Sequence, residues 1–326
     1  MVLGPIVGGF LCLPAQKYPF LFPKGSLFDV YPYALPCVIG FLIAITGVGV
    51  GWFVLEETNQ RVLTATVVAT SGNDEESQPL LSDSRKPQPK GLIEMLKSRK
   101  VVLSITLYTI ISFVYIQFDE LFALWSRLPI QEGGLEFDSS TMGKAYSIGG
   151  ISLFVYQMFL FSPIERYLGT LRTFQTGLLF SLPAFILLPT ASLVRENTNL
   201  VWAIIGISHI LRACAGVQAF TAVFLMVNNS ITAESRGGLN GLGQTLGSLG
   251  RMAGPVFAGI LFSWSLENGM RFPLDYHFVF ILLSMVVFGA FLLSLIMDRS
   301  IDQREVEEPV DIPPEEDVDD VDTIED

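Results

Sequence analysis

Long apolar runs separated by short polar connections set the pattern of this chain. Seven runs, at about 34–55, 101–125, 142–164, 171–194, 200–227, 239–264 and 276–297, have the length and apolarity of membrane-crossing helices. An eighth, at 1–13, is apolar but too short to span. No basic stretch precedes it and Gly4-Pro5 interrupts it, so it is not a signal peptide and reads as the end of a helix. The pattern predicts an all-α integral membrane bundle of about seven full transmembrane helices plus the end of another. The connection at 56–100, with SGNDEESQPLLSDSRKPQPKG at its centre, reads as a flexible linker between two halves.

The run at 239–264 departs from a plain anchor helix. Gly243, Gly247, Gly250 and Gly254 recur at helical spacing, with Ala258 four further on, which makes one smooth stripe for close helix approach. Pro255 removes a backbone donor and is expected to bend the helix. A packing face accounts for the glycines and the proline; it leaves Arg251, in the middle of the run, unexplained. Part of the pattern occurs twice: Gly4-Pro5-Ile6-Val7-Gly8-Gly9 matches Gly254-Pro255-Val256-Phe257-Ala258-Gly259. Each copy is followed by a Phe-Pro stretch and another apolar span, the sign of an internal repeat of the kind many transporters use.

Half of the residues are hydrophobic and the mean hydropathy is +0.50, which excludes a water-soluble enzyme. The formal charge of −12 is local: residues 298–326 hold fourteen carboxylates against Arg299 and Arg304, so the membrane body is neutral. This stretch has no aromatic residue and reads as a solvated acidic tail. Cys12, Cys37 and Cys214 lie in or beside apolar spans; no disulfide framework or metal-ligand spacing is present, and no cofactor or nucleic-acid partner is called for. Lysine and arginine divide twelve to six in favour of the side carrying 56–100 and the tail, which places that side and the C-terminus in the cytosol. Glu76 with Leu80-Leu81 in the linker fits the acidic dileucine address read by sorting adaptors, and equally a plain linker.

Ionisable groups at membrane depth are costly and mark functional sites by default. Asp119 and Glu120 lie about six residues, ~9 Å, from the outer end of their span. His209 and Arg212 share a helix face, and both they and Arg251 lie near the midplane. Two arginines at one depth repel unless something anionic stands between them: Asp119, Glu120 or a bound anionic substrate. Together with Gln244 these form the expected substrate and proton pathway. At the inner turn Glu165, Arg166, Gly169 and Arg172 read as helix caps and an ion-pair latch across a gate.

That acidic-Arg-x-x-Gly-x-x-Arg turn resembles the loop signature of the major facilitator superfamily, with Glu165 where Asp is usual. The two Gly-Pro helices resemble its antiporter motif. GPIVGGFLCLPAQKYPFLFPKGSLFDVYPYALPCV, FDELFALW and ESRGGLNGLGQTLGSLGRMAGPVFAGILFSWSLENG resemble the zinc-induced facilitator-like group, and the resemblance covers residues 1 to about 297. It implies a proton-coupled antiporter for an organic solute, metal chelate or cation in a vacuolar or plasma membrane. It also implies that the chain begins inside helix five of twelve. Residues 1–55 would then be the end of helix five and helix six, 101–297 the six-helix C-terminal half, and 298–326 the tail. Gly4, Pro5, Gly254, Pro255 and the glycine stripe would form the packing hinge for alternating access. A non-transporting membrane protein that pairs with a full-length homologue, and an incomplete gene model, stay open as alternatives.

Overall fold

The computed structural model describes residue 8, residues 10–55 and residues 91–303. Gly4, Pro5 and the Glu76–Leu80–Leu81 address lie outside the described residues. Among the described residues seven helices are long and apolar enough to cross a membrane: α1 (Ala34–Val54), α2 (Arg99–Arg127), α3 (Ser139–Leu168), α4 (Thr170–Val194), α5 (Thr198–Asn229), α6 (Arg236–Glu267) and α7 (His277–Ser294). All seven coincide with the apolar runs of the sequence, and most run a turn longer because polar residues continue a helix past the apolar core. The architecture is the all-α membrane bundle expected. α1 buries none of its residues.

The starts of α3 and α5 follow from local chemistry. Asp138 accepts hydrogen bonds from the backbone N–H of Thr141 at 3.0 Å and of Ser140 at 3.3 Å. Asn197 does the same for Asn199 and Leu200, at 3.1 and 3.3 Å. Each side chain satisfies donors that the first helical turn leaves without partners. Gly169, with φ +83°, makes the turn between α3 and α4 in a conformation that L side chains rarely adopt.

α2 stands at the centre and packs against α5, α6 and α7; α5 in turn packs against α3 and α4, and α4 against α7. Phe118, Phe122 and Trp125 of α2 are fully buried with Phe174 and Phe185 of α4 and Phe280 of α7. Lipid tails are as apolar as these side chains, so close packing and interhelical hydrogen bonds must hold the helices together. The glycine stripe supplies the first. A Cβ at Gly247 would lie 2.6 Å from Cε1 of Tyr108, one at Gly250 2.9 Å from the carbonyl oxygen of Thr109, and one at Gly254 against Cγ2 of Ile116. α6 therefore lies on the backbone of α2 along this face, and it runs as one continuous helix through Pro255.

Buried polar bonds supply the second. Gln218 of α5 donates to the hydroxyl of Tyr156 on α3 and accepts from Thr176 Oγ1 of α4 at 2.9 Å. The three helices meet where Gly177 leaves room for the Gln218 stem, 2.7 Å from a Cβ built there. Tyr156 opens a π-helical turn, Tyr156–Leu160, inside α3.

Two boundaries need correction. The linker was expected to run to residue 100, but a short helix, Leu92–Met95, precedes α2, and Met95 is buried with Val101, Ile105, Val227, Ile231 and Leu239. The acidic tail was expected to begin at 298. Instead Arg299–Asp302 forms a 3₁₀ turn, and Ile301 is fully buried. One apolar residue among acidic ones is enough to dock the segment when its neighbours find polar partners.

Candidate functional site

Tyr108, Ser112, Tyr115 and Asp119 recur on α2 at helical spacing, so they form one polar column on the face turned to α5 and α6. At one end of the column, Nη2 of Arg212 on α5 lies 2.5 Å from both carboxylate oxygens of Asp119. The guanidinium carbon sits 5.6 Å from the ring centre of Tyr115 and 5.3 Å from that of Phe118. Tyr146 of α3 donates to the main-chain oxygen of Asp119 at 3.0 Å, and Nε of Arg212 is buried without a hydrogen-bond partner. The pair is therefore partly desolvated, with aromatic rings beside it. In such surroundings a charge is held chiefly by its partner, and removing one partner costs about 3–5 kcal/mol. Glu120, next in sequence and half-buried, forms no hydrogen bond or ion pair among the described residues.

His209, one turn before Arg212, goes elsewhere. It is fully buried against Phe122 at 4.6 Å, Tyr146 at 5.8 Å and Phe118 at 6.4 Å between ring centres, and its Nε2 has no partner. It shares the aromatic enclosure of the ion pair without touching either charge.

At the other end of the column, Arg251 of α6 reaches back to α2. Its Nη1 donates to Tyr108 at 3.4 Å and Ser112 at 3.3 Å, and its Nη2 to Ser248 at 2.9 Å. Tyr108 in turn donates to Oε1 of Gln244 at 3.1 Å. The sequence reading offers Asp119, Glu120 or a bound anionic substrate as the group between the two arginines. Among the described residues only Arg212 has a carboxylate, and Arg251 is held by hydroxyls. Tyr108, Ser112, Tyr115, Tyr146 and Ser248 were not singled out from the sequence, although the spacing of the first three with Asp119 carried the signal.

The turn at 165–172 also differs from expectation. Glu165 accepts from Thr170 Oγ1 at 2.7 Å, while Arg166 and Arg172 point outward with no ion-pair partner among the described residues. The carboxylate that closes this turn is Asp302, 131 residues away: its Oδ1 accepts from the N–H of Leu171 at 2.8 Å. Its Oδ2 lies 2.8 Å from where a Cβ of Gly169 would be, so the missing side chain makes room for it. Asn229 donates to the carbonyl of Ile301 at 3.0 Å and ties α5 to the same segment.

The family model of the Major Facilitator Superfamily matches residues 1–255. The chain belongs to the major facilitator superfamily. A probable peptide/nitrate transporter of Arabidopsis thaliana is 28% identical over 305 residues, 91% of this chain and 62% of its own length. Zinc Induced Facilitator 1 of the same plant is 30% identical over 294 residues, 88% of this chain and 60% of its own. The multidrug transporter mfsB of Aspergillus fumigatus is 26% identical, over 82% of this chain and 55% of its own length. The chain thus spans about three-fifths of the curated relatives it matches, and Zinc Induced Facilitator proteins are among its homologues. As a superfamily member it is a multi-pass integral membrane protein.

Proposed function

We propose that this chain serves proton-coupled antiport of a small organic solute, metal chelate or cation by alternating access, with Asp119 as the proton-carrying group and Arg212 as its counter-ion. The observation that carries the reading is the Asp119–Arg212 pair, held at 2.5 Å inside an aromatic enclosure of the membrane bundle. A proton arriving at Asp119 would cancel one charge of the pair and free the guanidinium to seek another acceptor. Helix α5, which carries Arg212, would then prefer a different position against α2, and loss of the proton would reverse the change. Glu120 stands beside the pair as a second acceptor, and Gln244 and Arg251 extend the pathway along α2.

The glycine seam between α2 and α6 is the surface on which such a shift slides. The turn holding Glu165, Arg166, Gly169 and Arg172, with Asp302 across it, is its gate. The relatives named as peptide/nitrate and multidrug transporters support solute transport of this general class. A vacuolar or plasma membrane, a cytosolic C-terminus from the basic-residue bias, and recognition of Glu76, Leu80 and Leu81 by a sorting adaptor complete the proposal.

The test is proton movement. The chain is reconstituted in vesicles holding a pH-sensitive dye and exposed to candidate solutes under an imposed pH gradient. Solute-dependent proton flux that disappears in Asp119→Asn, with the variant still inserted and folded, supports the reading. Undiminished flux in Asp119→Asn refutes it. One observation favours a second reading, in which the chain acts paired with a full-length homologue: α1 offers a wholly unburied apolar surface. Co-purification of a stoichiometric second transporter chain, with no flux from the chain alone, would select that reading.

A further inference from the structure

Arg251 carries a charge that no carboxylate among the described residues compensates. All of its hydrogen bonds end on neutral hydroxyls, those of Tyr108, Ser112 and Ser248. A guanidinium has five N–H donors, so three bonds leave donors over. Beside it runs a groove of about 440 Å³ lined by Gln244, Thr245, Ser248, Leu249 and Met252, with no carboxylate among the described residues of its wall. At this groove Oε1 of Gln244 accepts from the Tyr108 hydroxyl, Ser248 Oγ accepts from Nη2 of Arg251, and Thr245 Oγ1 donates to the main-chain oxygen of Gly241. The Nε2 hydrogens of Gln244 and the spare donors of Arg251 remain. Arg251 meets the wall of the groove through Ser248, so a positive charge and the amide donors of Gln244 stand together there, a combination that suits an anion.

We infer that Arg251, with Gln244 and Ser248, forms an anion subsite for the carboxylate group of a transported organic solute. The inference rests on the transport reading above and narrows its substrate class. The planar guanidinium matches a carboxylate's two oxygens, and Gln244, two turns away on the same face of α6, adds a neutral donor. The position of the site separates a solute from a lipid. Arg251 lies midway along α6, ~22 Å from either end, so a headgroup phosphate at the membrane surface is beyond the reach of its side chain. A carboxylated solute entering between the helices can come to it. The Asp119–Arg212 pair lies two turns further along α2 from Ser112, ~10 Å, so a solute carboxylate on Arg251 and a proton on Asp119 would occupy separate stations of one column.

Thermal unfolding of the detergent-purified full chain at constant ionic strength tests the site. Citrate, succinate and acetate are the probes, and the neutral trimethyl ester of citrate and the dimethyl ester of succinate are the controls. At least one carboxylate should raise the unfolding temperature while its ester does not. The half-saturating concentration should rise at least ~10-fold in Arg251→Gln. Gln244→Glu guards against a variant that fails to fold. It supplies the missing carboxylate from the protein, so it should unfold at a higher temperature without ligand and lose the response to the probes. The proposal is overturned if no carboxylate acts, if the esters act equally, or if either variant responds as the wild type does. No pH gradient enters this measurement. Carboxylate binding without proton flux would leave the subsite standing and remove the coupling reading, and flux without carboxylate binding would do the reverse.

Discussion

Breaking the Asp119–Arg212 pair from either side should destabilise the bundle, and breaking it from both sides should cost little more. Two unit charges 4 Å apart attract by about 4 kcal/mol at an effective dielectric constant of 20. The 2.5 Å separation here strengthens the attraction, while the 16% and 28% exposure of the Arg212 and Asp119 side chains lets solvent weaken it. Each single neutralisation, Asp119→Asn or Arg212→Gln, should therefore cost about 3 kcal/mol, the lower end of the range for a buried pair stripped of one partner. Most of that cost is the surviving charge, left beside Tyr115 and Phe118 without an ion. The double variant removes the second charge too and should lie within about 1 kcal/mol of either single, a coupling energy of about 2–3 kcal/mol. Unfolding by SDS titration in mixed micelles, with helicity as the signal, measures all four corners of the cycle. Additive penalties, with the double variant near 6 kcal/mol, would refute the reasoning. They would show that each side chain is stabilised by something other than its partner.

Three further outcomes follow from named contacts. Gly250→Ala should destabilise by about 1–3 kcal/mol, because its Cβ would come within 2.9 Å of the Thr109 carbonyl on a backbone that cannot give way. Gly259→Ala on the same helix meets nothing within 4 Å and should stabilise by up to about 1 kcal/mol; equal effects in unfolding titrations would remove the glycine seam. Ending the chain after Gln303 should leave stability unchanged, whereas ending it after Ser300 should cost at least about 2 kcal/mol by deleting the buried Ile301 and, with Asp302, the acceptor that caps Leu171; identical unfolding curves would mean that the 3₁₀ turn does not dock. The Asp138 carboxyl is held below its ordinary range by the hydrogen bond from the Thr141 side chain and then by backbone N–H groups. Its stabilisation is therefore present above about pH 4 and lost as pH falls through the lower folded value, so the Asp138→Ala penalty of about 1 kcal/mol at pH 7 should shrink in acid. A penalty independent of pH would argue against a charged cap.

The seven spans were legible in the sequence because a bilayer demands about twenty apolar residues in a row and a helix closes its hydrogen bonds within that same run. The glycine stripe was legible for a related reason. Helical phase is a local property, so Gly243, Gly247, Gly250 and Gly254 had to share a face whatever lay opposite. What lay opposite was not local. The sequence put two arginines near the midplane and two carboxylates nearer the outer end, but the rotation of α5 and α6 about their axes decided that Arg212 meets Asp119 and that Arg251 meets Tyr108, Ser112 and Ser248. His209 shares a face with Arg212, yet the rings of Phe122 and Tyr146, from two other helices, enclose it away from the charges. Asp302 and Ile301 belong by composition to an acidic tail. Only the close of the bundle brings the N-terminus of α4 to Asp302, where an open helix end and the missing side chain of Gly169 make room for a carboxylate. Length, apolarity and phase are written along the chain. Partner choice is a property of helices placed side by side.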